Sequence, residues 1–228
     1  MRKFILYLSL LLIPVINNAG ASEPGPRPDP SDQDKLYSLL KLSDTGLSKE
    51  IFQLALKGYH KLEAIGKLQK SDILTIIDFS QSSTKKRLYV IDLLHKALLF
   101  NTYVAHGRNT GDEYANNFSN SSGSLKSSLG FYVTGEEITG SSVGLALILD
   151  GMEKGFNDNA VKREIIMHGA EYATENFIRR IGRLGRSFGC PALPPDLVKP
   201  VVETIKEGTC LFIYHRDNNY FSHSNLLN

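Results

Sequence analysis

The sequence lacks the features that mark several common functional classes. Its 26 basic and 24 acidic residues are interspersed and leave a net charge of only +2, so there is no basic stripe of the kind that binds nucleic acid. It contains no His-Glu-x-x-His, Cys-x-x-Cys or His-x-x-Glu-His spacing, and we therefore predict no metal and no other cofactor. No internal repeat is found. What is left is a globular chain long enough for one good core with a small helical appendage.

The N-terminus has the pattern of a secretory signal peptide. Arg2 and Lys3 form a positive region, residues 4–15 form a short apolar run, and small residues occupy positions 19–21. We predict a signal peptide over residues 1–21, with an uncleaved N-terminal anchor as the alternative. No cysteine lies near the cleavage site, so a lipoprotein is not indicated. No later run is long and apolar enough to span a membrane, and we expect a soluble protein that is secreted, periplasmic or associated with the cell envelope.

The rest of the chain divides into a helical part and a β-rich part. Residues 22–34 are rich in Pro, Asp and Ser and are predicted to be a linker, and helical apolar spacing predicts two helices in an N-terminal segment, 35–70. In a domain spanning 71–215, a helix is predicted at 196–206, and short β-branched or aromatic runs predict strands at 73–79, 86–92, 97–104, 129–133, 145–149, 164–167 and 209–214. The fold class is therefore mainly β with helices (α+β). A polar tail, 216–228, is expected to be poorly ordered.

A thiol and an imidazole, each beside a glycine, occur in residues 165–195. His168 precedes Gly169 at the end of a predicted strand, and Cys190 follows Gly189. A thiolate attacks carbonyls, an imidazole can take the thiol's proton or hold the thiolate as an ion pair, and backbone amides beside a glycine can face an oxyanion. We predict a free, reactive Cys190 and a buried Cys210, with a disulfide between them as the alternative.

His106 also ends a predicted strand and precedes a glycine, a setting in which functional residues are commonly displayed. We place it in the cleft as a substrate contact or supporting group, with a structural role equally open. A zinc site made by His106, His168 and Cys190 is a further alternative, although no metal-binding spacing supports it. The polar residues 112–128 are predicted to form a long surface loop, either a binding loop or a mobile lid.

The motif His168-Gly169, a loop, and then Ser187-x-Gly189-Cys190 resembles the signature of the YkuD-type L,D-transpeptidases, bacterial cell-wall enzymes. The resemblance is closer to the murein L,D-transpeptidase catalytic domain branch and covers residues 72–214, including His106-Gly107, Ser128-Leu129-Gly130-Phe131 and Ser187-Phe188-Gly189-Cys190-Pro191-Ala192-Leu193-Pro194. It implies an L,D-transpeptidase-like β-sandwich or partly open barrel. Two departures stand out: Phe188 replaces the usual second histidine, and Pro191-Ala192 replaces residues that usually include Asn or Arg.

The resemblance implies that Cys190, activated by His168, attacks a peptidoglycan tetrapeptide stem and forms a thioester. The carbonyl of Gly169 is the implied orienting group for His168, and amides around Gly189 and Cys190 are the implied oxyanion donors. Ser187 belongs either to the site or to the cap of its turn.

Beside the cysteine, Arg183 and Arg186 are candidates to bind stem carboxylates or lower the thiol pKa, with a solvated basic loop as the alternative. We expect a monomer whose partners are stem peptides. The acceptor can be a second stem or, in a carboxypeptidase, water. A non-catalytic cell-wall binding module is the alternative function.

Overall fold

The computed structural model describes residues 30–140 and 143–228, and the predicted signal peptide lies outside these ranges. The helices are α1 (Pro30–Leu39), α2 (Lys49–Ala64), α3 (Glu175–Ile181), α4 (Pro195–Ile205) and α5 (Asn218–His223). The strands are β1 (Ile73–Asp78), β2 (Leu88–Asp92), β3 (Ala97–Thr102), β4 (Gly130–Gly140), β5 (Gly144–Gly151), β6 (Ile166–Gly169), β7 (Ala192–Leu193) and β8 (Cys210–Tyr214). Within the described ranges, no helix is long and apolar enough to cross a membrane.

One eight-stranded sheet organises the molecule, in the order β3-β2-β1-β8-β4-β5-β6-β7. The first three strands form the meander that their β-branched or aromatic runs, separated by polar turns, predict, with β2 antiparallel to both β1 and β3. Strand β8 enters between β1 and β4, parallel to β1 and antiparallel to β4. Because β1 and β8 lie in the middle of the sheet, all of their residues are buried, as expected for strands covered on both faces.

The two edges of the sheet meet. Just after β3, Ala105 forms an antiparallel bridge with Ala192 of β7, with N–H···O distances of 2.8 and 3.2 Å. A second bridge joins Gly107 to Ser187. The sheet therefore curls into a nearly closed barrel, which confirms the α+β class and the partly open barrel architecture.

The two longest helices cover the sheet. Helix α2 begins after Ser48, whose hydroxyl accepts a hydrogen bond from Ile51 N–H at 3.3 Å, as an N-cap serine does. Its apolar side packs on β1 and β8, while α4 packs on β5 and β6. Helix α1 begins at Pro30, inside the predicted linker, because proline suits a first helical turn and Asp32 lies in that turn.

The prediction of a poorly ordered C-terminal tail is wrong. Residues 218–223 form α5, and Tyr220, Leu226 and Leu227 are buried. The anchor is the buried Glu153 carboxylate, which accepts hydrogen bonds from Phe131 N–H at 2.8 Å, Tyr220 O–H at 2.7 Å and the Ser224 hydroxyl. One carboxylate thus joins the C-terminus to β4.

Replacing Glu153 with alanine should lower the free energy of unfolding by about 3 kcal/mol, because three buried donors lose their acceptor at about 1–3 kcal/mol each, partly recovered by relaxation. Urea unfolding followed by circular dichroism measures the change. Glu136→Ala, which removes an exposed carboxylate from β4, is the matched control. Equal stability of the two variants would contradict the anchoring role.

Candidate active site

His168 is fixed by the sheet and by its own neighbour. It lies in β6, paired with Ala146 of β5 on one side and with Ala192 of β7 on the other, and only 7% of it is exposed. Its Nδ1 is 3.0 Å from the carbonyl oxygen of Gly169. Because a carbonyl only accepts, this contact requires the proton on Nδ1. The lone pair of the neutral ring is then on Nε2, which is the arrangement of a base.

The segment that carries Cys190 runs directly into β7. His168 N–H donates to Pro191 O at 3.3 Å, and Cys190 precedes that proline. Neighbouring strands lie about 4.8 Å apart, so the parallel pairing of β6 and β7 places the backbone of His168 beside the segment that follows Cys190. The fold therefore brings together two segments that the sequence separates by a loop.

A hydrogen-bonded turn presents the thiol. Ser187 Oγ donates to Cys190 O at 2.6 Å and accepts from Gly189 N–H at 3.0 Å. Gly189 has φ +131° and approaches Lys126 O so closely that a Cβ would lie 2.9 Å from it, which explains why glycine precedes the cysteine. Of the two roles open for Ser187, its contacts favour that of a turn cap.

The thiol itself is half-buried and points to the turn before β6. Its Sγ is 3.6 Å from the carbonyl oxygen of Glu164, a residue held in the left-handed region at φ +56°. Both cysteines are free, and Cys210 is fully buried in β8. The described residues therefore contain no disulfide between them.

Burial controls the protonation of both groups. It raises the pKa of the Cys190 thiol, although the amides of Ile166 and Cys190 and the charge of Arg163 oppose the shift. It lowers the pKa of the His168 imidazole, against the hydrogen bond to Gly169. Both shifts favour uncharged forms. The resting pair is therefore a thiol beside a neutral imidazole, and a preformed ion pair is disfavoured.

A family model described as L,D-transpeptidase catalytic domain matches residues 43–214. The chain belongs to this family. The match includes α2 as well as strands β1 to β8. A search of curated proteins found no match.

Solved structures of L,D-transpeptidases are similar at low identity. One from Mycobacterium smegmatis is 12% identical with a TM-score of 0.38, over 63% of this chain and 59% of that one. Another, from Mycobacterium tuberculosis, is 14% identical with a TM-score of 0.40, over 63% and 58%. The helical cell shape determining protein Pgp2 from Campylobacter jejuni is 15% identical with a TM-score of 0.41, over 64% and 48%. The chain spans less than two thirds of the length of each.

His106 does not contact substrate space in this L,D-transpeptidase domain. Only 1% of it is exposed, its Nδ1 is 2.8 Å from Arg87 Nη2 and its Nε2 is 3.3 Å from Gly111 O. Burial and the Arg87 charge lower the pKa of His106 to about 3. This burial argues against a direct substrate contact, while the supporting role stays a prediction: the His106 carbonyl accepts from Ser187 N–H at 3.0 Å.

Both ring nitrogens of His106 already have hydrogen-bond partners, so neither is free to bind zinc together with His168 and Cys190. Across residues 30–140 and 143–228, no three His, Cys, Asp or Glu side chains are grouped as metal ligands.

Arg183 and Arg186 hold a neighbouring loop. Arg186 Nη1 bonds to Asp112 Oδ1 at 2.5 Å and to Gly111 O at 3.2 Å. Arg183 Nη1 donates to Leu184 O at 2.7 Å, and its Nη2 lies 3.8 Å from the same Asp112 carboxylate. Asp112 thus pairs with both guanidinium groups. This pairing argues against the predicted role of the two arginines in binding substrate carboxylates. It also shows that they are not simply a solvated basic loop.

Phe188, which the sequence marks as a departure from the usual second histidine, is 68% exposed, and the Arg108 guanidinium lies 5.9 Å from its ring centroid. Two further features near the thiol were not predicted. The hydroxyl of Ser127 donates to Gly189 O at 2.9 Å and accepts from Gly107 N–H at 3.0 Å. Arg163 is the cation whose charge acts on Cys190. Neither has a sequence signal beyond its place next to a strand end or a glycine.

Proposed function

We propose that the chain is an exported cysteine acyltransferase that acts on peptidoglycan tetrapeptide stems, with Cys190 as nucleophile and His168 as base. The observation that carries the proposal is the 3.0 Å contact between His168 Nδ1 and Gly169 O, because it leaves Nε2 unprotonated on the strand beside the thiol. Family membership supports the reaction class, and the domain is proposed to occupy residues 71–215 after a signal peptide, as a monomer.

In the acylation step, His168 Nε2 takes the proton of the Cys190 thiol as sulfur attacks the carbonyl that links the L-centre of diaminopimelate to the terminal D-alanine. The tetrahedral intermediate collapses, the carbon–nitrogen bond breaks, and the leaving amine takes the proton from Nε2. The products are free D-alanine and a thioester on Cys190.

The amide of Cys190 is the proposed oxyanion donor. The Gly189 N–H already donates to Ser187 Oγ at 3.0 Å, so we do not propose it as an oxyanion donor. The Cys190 amide helps to lower the pKa of its own thiol, which supports this role. A single donor of this kind contributes about 3–4 kcal/mol in comparable acyl-transfer sites.

Deacylation decides the product. An amine of a second stem gives its proton to His168 and attacks the thioester, forming a crosslink and regenerating the thiol. When water attacks, the same site is an L,D-carboxypeptidase.

The experiment that tests the proposal is incubation of the protein, lacking residues 1–21, with purified disaccharide-tetrapeptide. Free D-alanine and the crosslinked or shortened product are identified by mass spectrometry. A carbapenem should add to Cys190, seen as one adduct by intact-mass analysis and located by peptide mapping. Binding to peptidoglycan with neither D-alanine release nor adduct would instead identify a non-catalytic cell-wall module, which the raised pKa of Cys190 makes the second candidate.

A further inference from the structure

The guanidinium of Arg163 holds residues 119–128, the second half of the loop 112–128 that the sequence suggested as a binding loop or a mobile lid. Arg163 donates to Ser119 O at 2.7 Å and to Lys126 O at 2.6 Å. It also donates to the hydroxyls of Ser128 at 2.5 Å and Ser124 at 3.2 Å. Two nitrogens of one side chain thus hold the 119–128 loop, including both of its ends. Lysine cannot make the same set of bonds, because it lacks the planar fork of donors that arginine has.

The same loop is bonded to the turn that carries the nucleophile. Ser127 Oγ donates to Gly189 O at 2.9 Å, and Asn109 N–H donates to Leu125 O at 3.1 Å. The loop therefore lies between Arg163 and the Gly189-Cys190 peptide. Anything that loosens the grip of Arg163 on the loop also loosens the turn.

Arg163 is itself placed by the turn before β6. Its N–H donates to Asn159 O at 2.8 Å, and Ile165 N–H closes the turn on Ala160 O at 3.0 Å. Glu164, the residue after Arg163, has its carbonyl oxygen 3.6 Å from Cys190 Sγ. The backbone that contacts the sulfur and the side chain that holds the loop are consecutive residues.

We propose that Arg163 is a positioning residue that couples the order of the 119–128 loop to the reactivity of Cys190, by holding the loop against the nucleophile's turn and by placing a permanent cation one residue before the Glu164 carbonyl that contacts the sulfur. The inference rests on the proposed function for its catalytic meaning. The ionisable groups whose charges interact with the thiol are Arg163, Glu164 and Tyr172; the Glu164 carboxylate opposes the arginine, and the charge on Cys190 acts on Tyr172. Arg163 is the permanent cation of this set.

Alkylation of Cys190 by iodoacetamide tests the charge without any peptidoglycan substrate. In Arg163→Met we expect alkylation at pH 7.5 to slow about fivefold, as for unit charges several ångströms apart in a partly solvated site, and the midpoint of its pH profile to move upward. A change in access alone scales the whole profile and leaves the midpoint in place. Arg163→Lys keeps the charge and should keep the midpoint.

Hydrogen–deuterium exchange tests the loop. Exchange of residues 119–128 should rise in both Arg163 variants, because neither keeps the fork. Lys162→Met, which removes an adjacent exposed charge, is the matched control and should change neither readout. Arg163→Lys provides the exchange result if Arg163→Met does not fold. An unchanged pH midpoint in a folded Arg163→Met, or unchanged exchange in either variant, would overturn the coupling. Absence of D-alanine release by the unmodified protein would overturn only the proposed function.

Discussion

Cys190→Ala is expected to release no D-alanine from tetrapeptide stems and to form no carbapenem adduct, because the proposed route requires a thioester. Removal of the nucleophile in comparable acyl-transfer enzymes costs about 10⁶-fold in kcat, so the residual rate should fall below detection. The thiol is half-buried and makes one weak contact, to Glu164 O at 3.6 Å. The melting temperature should therefore change by only a few degrees.

Cys210→Ala is the control for Cys190→Ala. Cys210 is fully buried in β8, and burial raises the pKa of its thiol, so it has neither the access nor the ionisation that reaction requires. This variant should release D-alanine at the unmodified rate and form the carbapenem adduct, with a lower free energy of unfolding. D-alanine release by folded Cys190→Ala would reject the thioester route.

His168→Gln is expected to lower kcat/KM by about 10²–10⁴-fold, the usual contribution of a general base. Glutamine has similar length and keeps a polar end, so the fold should persist. Rates of D-alanine release are measured from pH 4.5 to pH 8. His223→Gln, in which an exposed histidine of α5 is changed, should match the unmodified protein.

The pH profile separates a base from a merely structural histidine. Since burial lowers the pKa of His168, the imidazole stays neutral to a lower pH than a free histidine, and the rate should fall only as pH drops through that lowered pKa. His168→Gln should lose this acid limb. An acid limb that persists in the variant, or a loss of rate under threefold, would assign the base role to another group.

The parts of the fold that were predicted depend on local pattern. The meander β1-β2-β3 follows from β-branched or aromatic runs separated by polar turns, α2 from helical apolar spacing, and α4 from the prolines before it and the glycine after it. Family membership and the α+β class were confirmed. Strand β7, with two residues, is too short to show any period. Helix α5 has a polar sequence and forms because the distant Glu153 accepts its hydrogen bonds, which no local pattern can reveal.

The same division applies to the site. His168 and Cys190 were predicted as a catalytic pair because glycines beside chemically competent side chains are visible in sequence, and the structure pairs the strand of His168 with the segment that follows Cys190. His106 shares that context yet is buried, and Arg87, just before β2, bonds to its ring. Arg163 gave no signal because its importance comes from four contacts to a loop about 40 residues away in the chain. Contacts of this kind depend on the closed fold.

The shortness of β7 has a consequence for how this domain loses its chemistry. The segment after Cys190 is held by two register pairs with β6 and by one bridge to Ala105, whereas β1 and β8 share five register pairs in the middle of the sheet. Regions with few backbone bonds open at lower free energy than the core. Inactivation is therefore a local event at the seam of the barrel, and a chain with intact secondary structure can already have lost the alignment of sulfur and imidazole.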